Sequence, residues 1–140
     1  MIKIATSYFA QIRNFLPNMI PVSTAMNDPF WYRPPQGKQY YIDKRGIICG
    51  LRYEPLIVQH QGPPEQYREL LDTVDFDKMI KGFEFCANKF KLPFEDEPII
   101  VLMVYEKPDN PFSERSALQD LFRCHGIECK ELRYPINGSK

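Results

Sequence analysis

Pro98-Ile99-Ile100-Val101-Leu102-Met103-Val104, followed by Tyr105-Glu106-Lys107-Pro108-Asp109-Asn110-Pro111 and then Ser113-Glu114-Arg115, is the stretch whose reading decides the fold. A short, unbroken apolar run bounded by proline and a polar segment reads as a strand covered on both faces. Such strands belong mostly to parallel sheets flanked by helices. Ligands in those sheets bind beyond the carboxyl ends of the strands, so the polar run after Val104 marks where a site is expected. Asn110, with Pro111 at the first helical position, can cap the next helix, or Ser113 can cap it directly. Ala117, Leu118, Leu121 and Phe122 share one face of that helix, and Gly126 suits a left-handed cap at its end. Ile127 to Leu132 supplies a further strand. The unit is a right-handed crossover if the two strands are parallel.

Towards the amino end, Ile2 to Ala5 reads as a strand. Thr6-Ser7-Tyr8-Phe9 then turns the chain into a short amphipathic segment ending near Pro17. Met19 to Ala25 reads as a second strand. Pro21 fits it only if the strand starts at Val22 or if no donor is needed at that place. Residues 27–62 form a long ordered excursion with small strands, either a lid over a site or a layer packed on the core through its aromatics. Pro63-Pro64-Glu65 starts a helix carrying Tyr67, Leu70 and Leu71. Asp75 caps another, whose stripe of Phe76, Met79, Ile80, Phe83, Cys86, Ala87 and Phe90 is core. The fold class expected is α/β: a single three-layer domain over residues 1–140, with a small, mainly parallel sheet flanked by helices.

The chain has 140 residues, 44% of them apolar and 26% charged, which suits one soluble domain. No signal-like leader is evident and no apolar stretch approaches the roughly 20 residues of a membrane span, so a cytoplasmic protein without membrane contact is expected. The formal charge is zero but unevenly spread: residues 1–54 carry seven basic and three acidic groups, and residues 65–114 carry six and twelve. Arg33, Lys38, Lys44, Arg45 and Arg52 interleave with Trp31, Tyr32, Tyr40, Tyr41 and Tyr53, a pattern that suits either single-stranded nucleic acid or a solvated loop with local packing. Overall neutrality argues against a duplex-DNA binder. Cys49, Cys86, Cys124 and Cys129 form no CxxC pair and read as reduced thiols. Cys124-His125 and Cys129 straddle a helix end, so no metal site is expected, nor any cofactor. Neither His60 nor His125 is framed as a hydrolase base.

At the expected site, a helix amino end attracts anions, and Arg115 or Lys107 adds charge-assisted contacts to phosphate or carboxylate. The loop lacks the glycines of a Walker motif or a dinucleotide fingerprint. If the first two strands lie parallel to 99–104, their carboxyl ends bring Ser7, Tyr8, Ser23 and Thr24 near Tyr105, Glu106, Ser113 and Arg115. Glu106 then serves as a general base where an apolar wall raises its pKa, with Tyr105 or Tyr8 donating a hydrogen bond. The competing reading pairs Glu106 with Arg115 or Lys107 and spends the hydroxyls on backbone groups.

Ile99 to Pro108, Ser113-Glu114-Arg115, and Gly126-Ile127-Glu128 leading to Glu131-Leu132 resemble the uncharacterised family catalogued as domain of unknown function 488. Thr6-Ser7-Tyr8-Phe9, Pro21-Val22-Ser23 and Pro29-Phe30-Trp31-Tyr32 resemble one branch of it. The resemblance spans both ends and misses most of residues 36–92. It implies a small three-layer α/β fold whose tyrosine-glutamate strand end faces a cleft. The family's cysteine positions correspond here to Val104 and Ser113, so Tyr105, Glu106 and Arg115 carry over and a thiol does not.

Two functions follow. The first is binding, and processing, of a nucleotide or other phosphate-bearing ligand, with Tyr105 and Glu106 as the catalytic pair and Arg115, Ser113, Ser7, Tyr8, Ser23 and Lys107 as ligand contacts. The second is a noncatalytic accessory protein of a phage or mobile element, gripping a partner protein through the aromatic 27–62 excursion. No motif decides between enzyme and binding module.

Overall fold

The computed structural model describes residues 3–57, 64–90, 97–104 and 115–132. The apolar run forms strand β5, Ile99–Val104, buried from Ile100 onward. It lies inside a four-stranded parallel sheet with β1 (Lys3–Tyr8), β2 (Met19–Ser23) and β6 (Cys129–Glu131), in the order β2-β5-β1-β6. The register runs Lys3 to Tyr8 opposite Ile99 to Val104, and Met19 to Ser23 opposite Ile99 to Met103. The α/β class with a mainly parallel sheet is thus the fold.

The pleat sorts side chains between two cores. Ile4, Ile20, Val22, Ile100, Leu102, Val104 and Cys129 face three helices, α1 (Pro64–Leu71), α2 (Phe76–Lys89) and α3 (Arg115–Cys124). Met19, Val101 and Met103 face the other layer, where Phe9, Ile12, Phe15, Tyr32, Ile47 and Cys49 pack. That layer contains no α-helix among the described residues. It consists of 3₁₀ turns at Phe9–Asn14 and Phe30–Tyr32 and an antiparallel ribbon of β3 (Tyr41–Ile42) and β4 (Ile48–Cys49). The excursion is therefore a packed layer in its described part: Tyr32 is wholly buried and its hydroxyl donates to the carbonyls of Pro21 and Leu51.

Three local expectations meet the structure differently. Thr6 to Tyr8 do not turn but continue β1, because β5 offers a partner along its whole length. Pro21 sits inside β2 without cost. Thr24 N–H donates inward to Met103, whereas Ser23 N–H donates outward to Leu51, so alternation puts the proline nitrogen on the outer edge, where β5 requires no donor. The last strand is shorter than Ile127 to Leu132, because Ile127 belongs to the helix cap. Its N–H donates to Phe122 O and that of Gly126 to Arg123 O, at φ +78° for the glycine, the paired bonds of a Schellman motif. Asp75 caps α2 by accepting from Lys78 N–H at 3.1 Å, and its stripe is core with Met79 and Phe83 fully covered.

Candidate functional site

The sheet order sends the connections of two neighbouring strands over opposite faces. From β1 the chain leaves through the Phe9–Asn14 turn on the excursion face and crosses β5 to reach β2. The connection from β5 to β6 includes α3 on the helical face and crosses β1. Adjacent strands whose connections depart to opposite faces leave a gap at their carboxyl ends, where ligands of open α/β sheets bind. Here the corresponding position is the carboxyl end of β1 and β5, at the register partners Tyr8 and Val104.

The polar residues expected to meet there divide between the faces. Tyr8 and Arg115 come together: the Arg115 guanidinium lies 5.9 Å from the Tyr8 ring centroid, a cation–π distance. Ser7 and Ser23 are register partners of Met103 and share its excursion face. Both are fully buried. Tyr105, Glu106, Lys107 and Ser113 lie outside the described residues, as do Asn110 and Pro111.

Arg115 is 5% exposed and held by a residue that the sequence reading did not single out. Its Nε donates to Glu131 Oε1 at 2.5 Å. Thr6 Oγ1 donates to the same oxygen at 2.7 Å, and Gln119 Nε2 donates to Thr6 Oγ1 at 2.9 Å. This network ties α3 to β1 and β6. Burial is the largest influence on Glu131 and raises its pKa, opposed by the Thr6 hydroxyl and the Arg115 charge. Its Oε2 is buried with no hydrogen-bond partner among the described residues. The signal in the sequence was faint: Glu131 stands two residues after Cys129 and so shares its inward face.

A second network closes the end of β2. Ser23 Oγ donates to Asp28 Oδ1, and Arg52 Nη1 pairs with Asp28 Oδ2 at 2.6 Å. The backbone of Leu51 to Tyr53 exchanges hydrogen bonds with Ser23 and covers the outer edge of β2. Thr24 Oγ1 donates to Met103 O at 2.8 Å. These hydroxyls thus fasten the excursion to the sheet.

The cysteines lie apart in character: Cys124 is exposed on α3, while Cys49 and Cys129 are buried. Burial pushes the Cys49 thiol up to about 11 and that of Cys129 to about 12. Two grooves are also present. One of about 580 Å³ lies by the amino ends of β1 and β5, lined in part by Lys3, Glu97 and Lys130. That is the opposite end of the sheet from Tyr8 and Val104, and its exposed ion pairs, Lys3 with Glu97 and Lys130 with Glu128, carry little energy. The other, of about 330 Å³, lies on the excursion layer between Phe9, Arg13, Trp31, Tyr41 and Arg45. No helix among the described residues is long and apolar enough to cross a membrane. No family model, curated protein or solved structure matches the chain.

Proposed function

We propose that the protein binds a nucleotide or other phosphate-bearing molecule in the crevice at the carboxyl ends of β1 and β5. The observation that carries this reading is the reversal of connection between those two neighbouring strands, the recurrent location of phosphate ligands in open parallel sheets. Tyr8 ends one wall, and Arg115, at the first turn of α3, supplies a cation beside it. Glu131 and Thr6 hold that cation in one direction. A buried ion pair is a poor source of stability, and the raised pKa of Glu131 says that its burial is incompletely compensated; orientation of Arg115 gives the network a reason to exist. Tyr105 and Glu106, next in sequence after β5, are the acid–base candidates of this reading, and the likeness to domain of unknown function 488 points to the same strand end.

Isothermal calorimetry with inorganic phosphate, a nucleoside monophosphate and a nucleoside triphosphate tests it. Binding of at least one is expected. Arg115→Lys, which keeps the charge but loses the planar fork, and Tyr8→Leu should each weaken it about tenfold, while Lys3→Gln at the far end of the sheet leaves it unchanged. Absence of binding at millimolar ligand, or affinity indifferent to both crevice substitutions in folded variants, overturns the reading.

A further inference from the structure

We propose that the excursion layer is a second, separate binding surface, for single-stranded nucleic acid, with bases stacking on Trp31 and Phe30 and phosphates held by the surrounding cations. Phe30 is 87% and Trp31 51% exposed, although the turn that carries them is among the best-anchored parts of the layer. Tyr32 beside them is buried with its hydroxyl bonded to two carbonyls, Tyr41 donates its hydroxyl to Trp31 O, and the Trp31 ring meets the Tyr32 ring edge-on at 6.2 Å. Large aromatic surfaces kept in water on a fixed backbone are stacking platforms that lose little entropy on binding. The groove of about 330 Å³ beside Trp31 is walled by Tyr41, Phe9, Arg13, Arg45 and the Asp43 that Arg45 pairs, a size at the small end of ligand pockets and suited to one planar base.

Charge selects the class of occupant. The acids of the excursion are paired within it: Asp28 and Glu54 with Arg52, and Asp43 accepts from Arg45 and from the Arg45 and Ile47 N–H groups. Arg13, Arg33, Lys38 and Lys44 are all exposed and have no acidic partner among the described residues. Exposed aromatics on a layer that carries these four cations, with Arg13 and Arg45 beside Trp31, complement a polyanion that carries its own flat rings. It repels a basic partner. An acidic polypeptide shares the charge but has no obligatory ring at each anionic repeat, so the aromatic pair favours the nucleic acid.

Trp31 is the only tryptophan of the chain and therefore reports on its own occupancy. Titration with a thymidine oligonucleotide of about twelve residues should quench its fluorescence to saturation. With four phosphate contacts the slope of log K on log salt approaches about −3, and each of Arg13→Gln and Lys44→Gln should reduce it by about 0.7. Phe30→Ala should weaken binding about tenfold, measured by anisotropy of a labelled oligonucleotide; at 87% exposure that side chain contributes little to folding. A flat titration overturns the proposal, as does binding indifferent to Phe30 and Trp31. Equal quenching by polyglutamate overturns it in favour of an acidic polypeptide. The Arg115→Lys variant should bind the oligonucleotide normally, so this surface and the crevice succeed or fail separately.

Discussion

Replacing Asp28 by alanine removes the acceptor on which the end of β2 and the Arg52 segment converge. The carboxylate side chain is 5% exposed, takes the Ser23 hydroxyl on one oxygen and the Arg52 guanidinium on the other. A hydrogen bond to a charged group contributes about 1.5–3 kcal/mol net, and breaking a buried pair costs about 3–5 kcal/mol when the survivor stays dry. Arg52 is 28% exposed and recovers water once released, so the loss shifts towards the lower end of these figures, at about 2–4 kcal/mol. That is a large share of the roughly 5–15 kcal/mol by which domains are stable. Urea unfolding followed by circular dichroism measures it. The informative design is a cycle with Arg52→Met: either substitution alone strands or frees one charge, whereas the double variant strands none, so the two losses should fall short of additivity by at least about 1 kcal/mol. Ser23→Ala, which deletes one donor and spares the ion pair, should cost less than Asp28→Ala. A loss for Asp28→Ala under about 0.5 kcal/mol, or an additive cycle, refutes the claim that this pair fastens the excursion to the sheet.

Three further outcomes are expected. The folded pKa of Glu131 lies above its ordinary 4.5, so the native state keeps a proton that the unfolded chain releases; stability from this group is complete below that value and falls as pH rises through the raised one, and Glu131→Gln should flatten this fall in urea denaturation run at a series of pH values. Iodoacetamide should modify Cys124 in the native protein, while Cys49 and Cys129, covered and with thiol pKa values near 11 and 12, react only after unfolding; mass spectrometry of peptides distinguishes them, and early modification of Cys129 would contradict its place in β6. Gly126→Ala meets no atom within 4 Å but keeps φ +78°, so it should cost about 1 kcal/mol through backbone strain alone, and a neutral result in thermal unfolding would mean that the Schellman cap is not what ends α3.

What the amino-acid sequence determined by itself is local and periodic. Ile99 to Val104 announces a strand covered on both faces because no polar residue interrupts it, and α2 announces its buried stripe because apolar residues return at helical spacing behind an aspartate cap. Gly126 marks a helix end because only the left-handed conformation closes that cap cheaply. These signals need no distant partner.

The candidate site was legible only in part, through Tyr8 and Arg115, which do lie together. Reading a turn at Thr6 to Phe9 hid the alternation that β1 imposes, and with it the fact that Ser7 and Tyr8, neighbours in the chain, belong to opposite faces of the sheet. Whether β1 continued to Tyr8 depended on the length of β5, more than ninety residues away in sequence. The partner of Arg115 depended likewise on β6 settling beside β1, which carries Glu131 to Thr6. Asp28 found Arg52 because the chain returns along the outer edge of β2. Strand order and register are settled by the free energy of the whole sheet, so tertiary structure alone decided which charges meet, which face each hydroxyl serves, and where two connections part to opposite faces.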